Sequence, residues 1–412
     1  MTDFHRKCVV LIIDGLGDLP VSGLDDQTPL EAANTPVLNR LAASGLYGLV
    51  DPIGRGEVPN THSGCGLLLG VLPGETSRIR RGPVEASGVG LALGPGDIAM
   101  RANFATLEDH AEGLLVADRR AGRITSGTDQ LAAVLTDIDL GEGVTASLQS
   151  TDQHRGVLVL SGPGLDQAVS DTDPGDHGGT ALVQTCVPKR AAAEKTAEKI
   201  NLFIAEAHHR LNKHPVNEER VRNGKLPANG VLTRGAGGMF GLETVFQLTG
   251  LNVAVVAGCN TVIGLARILG FEVVTDSRFT AAFDTDLDAK MRAVVAALES
   301  NQFVYLHVKA PDLFAHDLDP VAKRDFLERL DKSLQILSGS GAIIALAADH
   351  TTDSNTGVHT ADPVPSLIYD PMQAPGEEPI PVNFGEAACR NGNMSRRRSH
   401  DFLLQLVSMI EN

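Results

Sequence analysis

The stretch GAIIALAADHTTDSNTGVH, Gly341 to His359, decides how the rest of the chain reads. Five of its first eight residues are Ala or Gly and the other three are Ile or Leu, the composition of a short strand covered on both faces. Asp349 and His350 close the run, so a buried strand would carry a carboxylate and an imidazole to its C-terminal end, with His359 one loop further on. In open α/β sheets that edge is where ligands gather. Asp, His and His are donors for a divalent metal of borderline softness. An isolated Asp-His pair would read more simply as a cap followed by a solvated loop residue.

Two further runs repeat the pattern. VVLIIDG, Val9 to Gly15, ends in Asp14, and FVYLHVKAPDLFAH, Phe303 to His316, leads into a loop with Asp312 and His316. Together the three runs supply Asp14, Asp312, His316, Asp349, His350 and His359, enough for two metal ions sharing one site.

These runs lie at both ends of the chain. Between them LNVAVVAG, TVIGLARILG and FEVV follow one another as strand, helix and strand, the order of a doubly wound, mostly parallel α/β sheet. A chain of 412 residues exceeds what one core usually holds. Glycines multiply and β-type alternation resumes near residue 90, so the expected organisation is one domain from 1–90 and 240–412 and a second α/β domain inserted at 91–239. Pro36 and Pro320 each open a helix behind Thr35 and Asp319, the second burying Phe326, Leu330, Leu334 and Leu337. In the middle, Ala193, Ala197, Ile200, Ile204, Ala207 and Leu211 form one stripe of a covering helix entered by Pro188.

Other polar groups fall between these elements. Asn60, Thr61, His62, Ser63 and Gly64 open onto an apolar helix, where a hydroxyl beside exposed N–H groups suits phosphate chemistry; plain N-capping by Thr61 or Ser63 is the simpler reading. The inserted region carries Asp118, Arg119, Arg120 and Arg123 in one turn, His154 and Arg155 before a strand, Asp171, Asp173 and His177 in a loop, and Asn229 and Arg234 near its end. Arginine forks capture phosphate or carboxylate, although such a patch can equally be a solvated surface.

Composition narrows the partners. With 35 Lys and Arg against 51 Asp and Glu, the net charge of −16 disfavours nucleic acid and anionic membranes. The absence of Trp, with only three Tyr, removes the stacking platforms of single-strand binders. Cys8, Cys65, Cys186, Cys259 and Cys389 are scattered and odd in number, as expected of reduced thiols in a cytoplasmic protein. The apolar run before Asp14 is too short for a signal peptide, and none approaches the length of a membrane span.

With these residues assembled, the chain resembles the archaeal-type cofactor-independent phosphoglycerate mutases of the alkaline phosphatase superfamily. The likeness runs through LIIDGLGD, RRGPVEASGVG, DRRAGRI, HRGVLVLSGPGLDQAVSDTDPG, HPVNEERVRNGKLPANGVLTRGAG, HVKAPDLFAHD and AADHTTDSNTGVHTADPVPSLIY, in that order. It implies a metal-bearing, alkaline phosphatase-like domain from the two chain ends and a substrate-holding insert. It implies that Asp14, Asp349 and His350 hold one ion and Asp312, His316 and His359 the other. The ions would be Mn²⁺, with Mg²⁺, Zn²⁺ and Co²⁺ also compatible, and no 2,3-bisphosphoglycerate is needed.

The register puts Thr61 at the nucleophile and metal-facing position, with Ser63 as its alternative, and puts Cys65 where the family has His. Lys309 would meet the phosphate or carboxylate. Asp118, Arg119, Arg123, His154, Arg155 and Arg234 would bind the substrate, a small phosphorylated metabolite. The rival readings are a related phosphotransferase or phosphatase on another small phosphorylated metabolite, and a non-catalytic metal-binding homologue.

Overall fold

The computed structural model describes residues 6–175, 181–373 and 380–411. Its chain divides into two compact units, Met1–Ile79 with Gly241–Asn412, and Arg80–Phe240.

The first unit is built on an eight-stranded sheet. Its centre is the strand Cys8–Ile13, six β-branched, Leu or Cys residues that are all buried. It runs parallel to Phe303–Val308 on one side and to Ile343–Ala347 on the other. Val253–Val256 and Glu272–Val274 extend the parallel side. Val364–Tyr369 and Leu46–Asp51 continue the other flank in antiparallel pairing, and the two-residue strand Arg397–Arg398 closes it in parallel. The register pairs Ile13 with Val308 and Ile12 with Ala347, which brings Asp14, Lys309 and Asp349 level just beyond the strand ends. The chain turns there at Gly15, whose φ of +64° disfavours any side chain and whose added Cβ would lie 2.9 Å from Asp312 Cα.

The helix Pro320–Leu334 starts as its sequence predicts, with the Asp319 carboxylate accepting from the Ala322 amide at 2.9 Å. Phe326, Leu330, Leu334 and Leu337 are all buried. The segment carrying Asp312 and His316 is a short helix, Ala310–His316, rather than the expected loop. Pro311 fits its first turn, and the four-residue spacing sets both side chains on one face.

The second unit holds a seven-stranded sheet in which every pairing is antiparallel. Its long strand Ile98–His110 is flanked by Arg155–Ser161 and Gly230–Gly237. The unit opens at Arg80, ahead of the expected boundary near 90, because the helix Arg81–Gly88 lies on that sheet. An added Cβ at Gly82 would be 2.0 Å from the Ala99 carbonyl oxygen. The covering helix spans Glu194–Asn212 and buries the predicted stripe. It does not begin at Pro188, because residues 187–189 pair with 168–170: Lys189 N–H donates to Ala168 at 2.7 Å and Ser170 N–H to Val187 at 2.9 Å. No described helix is long and apolar enough to cross a membrane.

Candidate metal centre and arginine face

The six ligand-type residues read from the sequence come together at the strand ends of the first unit. Asp14, Asp349 and His350 form one group and Asp312, His316 and His359 another, with one donor atom of each residue within 4.8 Å of the others in its group. His350 Nε2 lies 3.2 Å from Asp14 Oδ1 and 3.2 Å from Asp349 Oδ2. In the second group His316 Nε2 and His359 Nε2 are each 3.4 Å from Asp312 Oδ1. The His350 and His359 rings stack at 3.6 Å, so the groups adjoin. Lys309 spans them, its ammonium donating to Asp14 Oδ1 at 2.9 Å and Asp312 Oδ2 at 2.6 Å.

The proton positions decide what this cluster can hold. His316 Nδ1 faces the Gly357 carbonyl at 2.7 Å and His359 Nδ1 faces that of Pro59 at 3.2 Å, so both nitrogens carry hydrogen and donate. The Thr352 hydroxyl donates to Asp312 Oδ1 at 2.8 Å, which leaves it to accept from His350 Nδ1 at 2.9 Å. In the neutral state all three rings therefore aim an Nε2 lone pair at carboxylate oxygens, an arrangement that a cation between them would satisfy. Three buried carboxylates against one ammonium leave a net charge of −2, which favours divalent cations in this cluster. The donor set fits them.

The carboxylates titrate apart. Burial works to raise Asp14, yet Lys309 and the hydrogen bond from His307 hold it well below the usual carboxylate range. Asp349 is pushed up by burial and by Asp14.

Thr61 and Ser63 now separate. Asn60 is the N-cap of the helix Thr61–Leu68, accepting from the amides of His62 and Ser63 at 3.0 and 3.1 Å. The Ser63 hydroxyl completes the capping box, accepting from Asn60 N–H and donating to Asn60 O, each at 3.1 Å. Thr61 caps nothing in this motif, and its Oγ1 stands 3.4 Å from His350 Nε2.

Two neighbours were not among the expected ligands. His307 Nε2 lies 3.1 Å from Asp14 Oδ2, and the Cys65 thiol donates to Asp349 Oδ2 at 3.5 Å. Burial, then Asp349 and Asp14, push that thiol well above its ordinary range, so without a cation it is a neutral donor. His307 sits inside FVYLHV, where strand alternation conceals it.

In the second unit, Arg119 grips Asp173 through Nε at 2.9 Å and Nη2 at 2.8 Å, and Arg234 Nε lies 3.9 Å from the same carboxylate. Despite burial, these guanidinium groups hold the Asp173 carboxyl low. His154 is driven down to about 3 by burial and by Arg155, Arg120, Arg101 and Arg234, so it is neutral near pH 7. Asp118 holds its turn, accepting from the Arg120 and Gly122 amides at 2.7 and 3.1 Å. Arg123 is exposed at φ +55° and is not drawn into this cluster. Asn229 is structural, its amide exchanging hydrogen bonds with the Leu107 backbone at 2.8 and 3.0 Å. His177 lies outside the described residues.

Arg101 and Asn103 also belong to this face and were not read from the sequence. Asn103 pairs with Arg155, and Arg101 with Arg234, so the four share one side of the sheet. Among the described residues, Arg101 Nε, Asn103 Oδ1, His154 Nδ1, Arg155 Nε and Arg234 Nε are buried without a hydrogen-bond partner. The detectable signal was the two-residue spacing in RANF, matched to Arg155 and Arg234 only once the pairing is known.

Comparison with known proteins places this geometry. A family model described as 2,3-bisphosphoglycerate-independent phosphoglycerate mutase matches residues 42–217. A protein of that name from Methanosphaerula palustris is 40% identical over 98% of this chain and 98% of its own length. The chain belongs to this family. Another member, from Methanopyrus kandleri, is 40% identical over 96% of this chain and 94% of its own. Among solved structures, a Pyrococcus horikoshii protein superposes with a TM-score of 0.80 at 32% identity, covering 98% of this chain and 97% of that one. The cofactor-independent phosphoglycerate mutase of Thermoplasma acidophilum gives 0.65 at 31% identity, covering 98% and 100%. Family membership and the α/β fold with its mostly parallel sheet thus agree with the resemblance read from the motifs.

Proposed function

We propose that the protein interconverts 3-phosphoglycerate and 2-phosphoglycerate without 2,3-bisphosphoglycerate, through a phosphoryl group carried on Thr61. What carries the reading is the Thr61 hydroxyl, first on its helix and 3.4 Å from His350 Nε2, in a chain of this family. Asp14, Asp349 and His350 would hold one divalent ion and Asp312, His316 and His359 a second; Mn²⁺ suits such oxygen and nitrogen donors, and Mg²⁺, Zn²⁺ and Co²⁺ are also compatible. Such ions, when bound, lower the pKa of a nearby hydroxyl and offset charge on a transferring phosphoryl group.

The chain's own residues supply the rest. Thr61 Oγ1 bonds to phosphorus as the bond from phosphorus to the substrate oxygen breaks, and the threonine proton ends on the released hydroxyl. The helix N-terminus beside Thr61 favours the phosphate's negative charge. Lys309 shifts from its carboxylates toward the phosphoryl oxygens. Arg119, Arg155, Arg234 and neutral His154 hold glycerate, with Asp118 shaping their turn and Arg123 at the margin. The phosphoryl group then passes from Thr61 to the other hydroxyl, whose proton returns to Thr61. The odd number and scattered positions of the five cysteines support a reducing, cytoplasmic setting.

Rapid quenching with 3-phosphoglycerate, followed by mass spectrometry, tests the intermediate. Phosphate on Thr61 is the expected result; phosphate on Ser63, or on neither, would overturn the assignment.

A further inference from the structure

We infer that Cys65 supplies a thiolate ligand to the Asp14, Asp349 and His350 group, so that this ion site is built from two oxygens, one nitrogen and one sulfur and selects Zn²⁺ or Co²⁺ over Mn²⁺. The inference rests on the two-ion reading above and concerns what distinguishes one site from the other.

The helix Thr61–Leu68 is pressed against the backbone of Asp349: an added Cβ at Gly64 would lie 2.1 Å from the Asp349 carbonyl oxygen. One residue further, Cys65 is completely buried, with Sγ 3.5 Å from Asp349 Oδ2. The same sulfur lies within 4.8 Å of donor atoms of Asp14 and His307. His307 engages Asp14 Oδ2 at 3.1 Å, while Asp14 Oδ1 and Asp349 Oδ2 each lie 3.2 Å from His350 Nε2.

Zinc binds sulfur at about 2.3 Å and oxygen or nitrogen at about 2.0–2.2 Å with tetrahedral angles, so neighbouring donors on one ion stand roughly 3.3–3.7 Å apart. The 3.5 Å and 3.2 Å separations are close to such edges before any ion draws the donors in. Thr61 Oγ1, 3.4 Å from His350 Nε2, borders the same space as an exchangeable neighbour. A thiolate favours zinc and cobalt over manganese, whereas the Asp312, His316 and His359 group offers no sulfur. Two unlike sites side by side, one with a sulfur donor and one of nitrogen and oxygen alone, follow from that difference.

Metal-stripped full-length protein titrated with Co²⁺ alone, followed by absorption, provides the test. The expected result is a near-ultraviolet thiolate-to-cobalt charge-transfer band that saturates at one equivalent. Cys65→Ser should lose the band while Cys259→Ala keeps it, and Cys65→Ser should weaken Zn²⁺ relative to Mn²⁺ by at least about tenfold, as expected for loss of a soft ligand. Stoichiometric cobalt binding by the wild type without the band would overturn the inference and leave the two-ion reading standing. Failure to bind cobalt at all would overturn both. The wild-type spectrum is decisive even if the serine variant does not fold.

Discussion

Thr61 and Ser63 stand two residues apart on one helix, but their hydroxyls have different occupations: Ser63 closes the capping box and Thr61 faces His350. Thr61→Ala should therefore lower kcat by at least about a thousandfold, as expected when a nucleophile is removed, with little change in stability. Ser63→Ala should keep activity within a few-fold and cost about 1 kcal/mol of unfolding free energy. Steady-state kinetics beside denaturant titration measures both, and the reverse pattern would exchange their roles. On the arginine face, Arg101→Ala should raise KM for 3-phosphoglycerate by about 10–100-fold, corresponding to loss of a charge-assisted hydrogen bond of about 1.5–3 kcal/mol. An unchanged KM would exclude Arg101 from binding. The ligand-type residues were legible because each follows an apolar run that ends in Asp. Cys65 and His307 were not, because burial inside a helix and a strand makes them look like core. Arg101 needed its strand pairing before it could be grouped with Arg234.

Among the elements, strands and caps were legible because local chemistry fixes them: the all-apolar Cys8–Ile13 run and the Asp319 cap need no distant partner. The helix start at Glu194 and the helix Ala310–His316 were less so, since the first is displaced by backbone pairing of 187–189 with 168–170 and the second is very short. Non-local polar networks were hidden altogether. The loop after Gly15 is tied down by Asp18, whose carboxylate accepts from fully buried Lys323 at 2.6 Å and from the Ser354 hydroxyl at 2.5 Å. Removing one partner strands a buried charge, so Lys323→Met should lower unfolding stability by about 3–5 kcal/mol in a denaturant titration. A loss below about 1 kcal/mol would mean the pair is dispensable, as exposed pairs are.

Glu386 joins the same network, accepting from the Asp18 amide at 3.1 Å and the Thr28 hydroxyl at 2.6 Å. Burial pushes its carboxyl from 4.5 up to about 7, against the hydrogen bond from Thr28. In the unfolded chain this group ionises first, so its contribution to stability is full below pH 4.5 and is lost as pH rises through 7. Glu386→Gln should remove that dependence, a slope of up to about 1.4 kcal/mol per pH unit between the two values. Urea titrations of both proteins across that range check it; identical pH slopes would refute the assignment.

At the scale of the whole molecule, the sequence shows an inserted segment because the metal-type strands lie at both chain ends while composition shifts between them. Its boundary was misjudged by the helix Arg81–Gly88, whose glycines and polar residues resemble a linker until Gly82 is seen against Ala99. In the proposed function, chemistry belongs to the first unit and recognition of the substrate acid to the second, and the mutase activity needs divalent ions and no bisphosphate. The most direct measurement is a coupled assay from 3-phosphoglycerate to 2-phosphoglycerate without 2,3-bisphosphoglycerate, after chelation and after adding back Mn²⁺, Zn²⁺ or Co²⁺, with inorganic phosphate followed in parallel. Interconversion abolished by chelation and restored by metal, with little phosphate released, is the predicted result. Phosphate release without interconversion, or turnover indifferent to chelation, would contradict it.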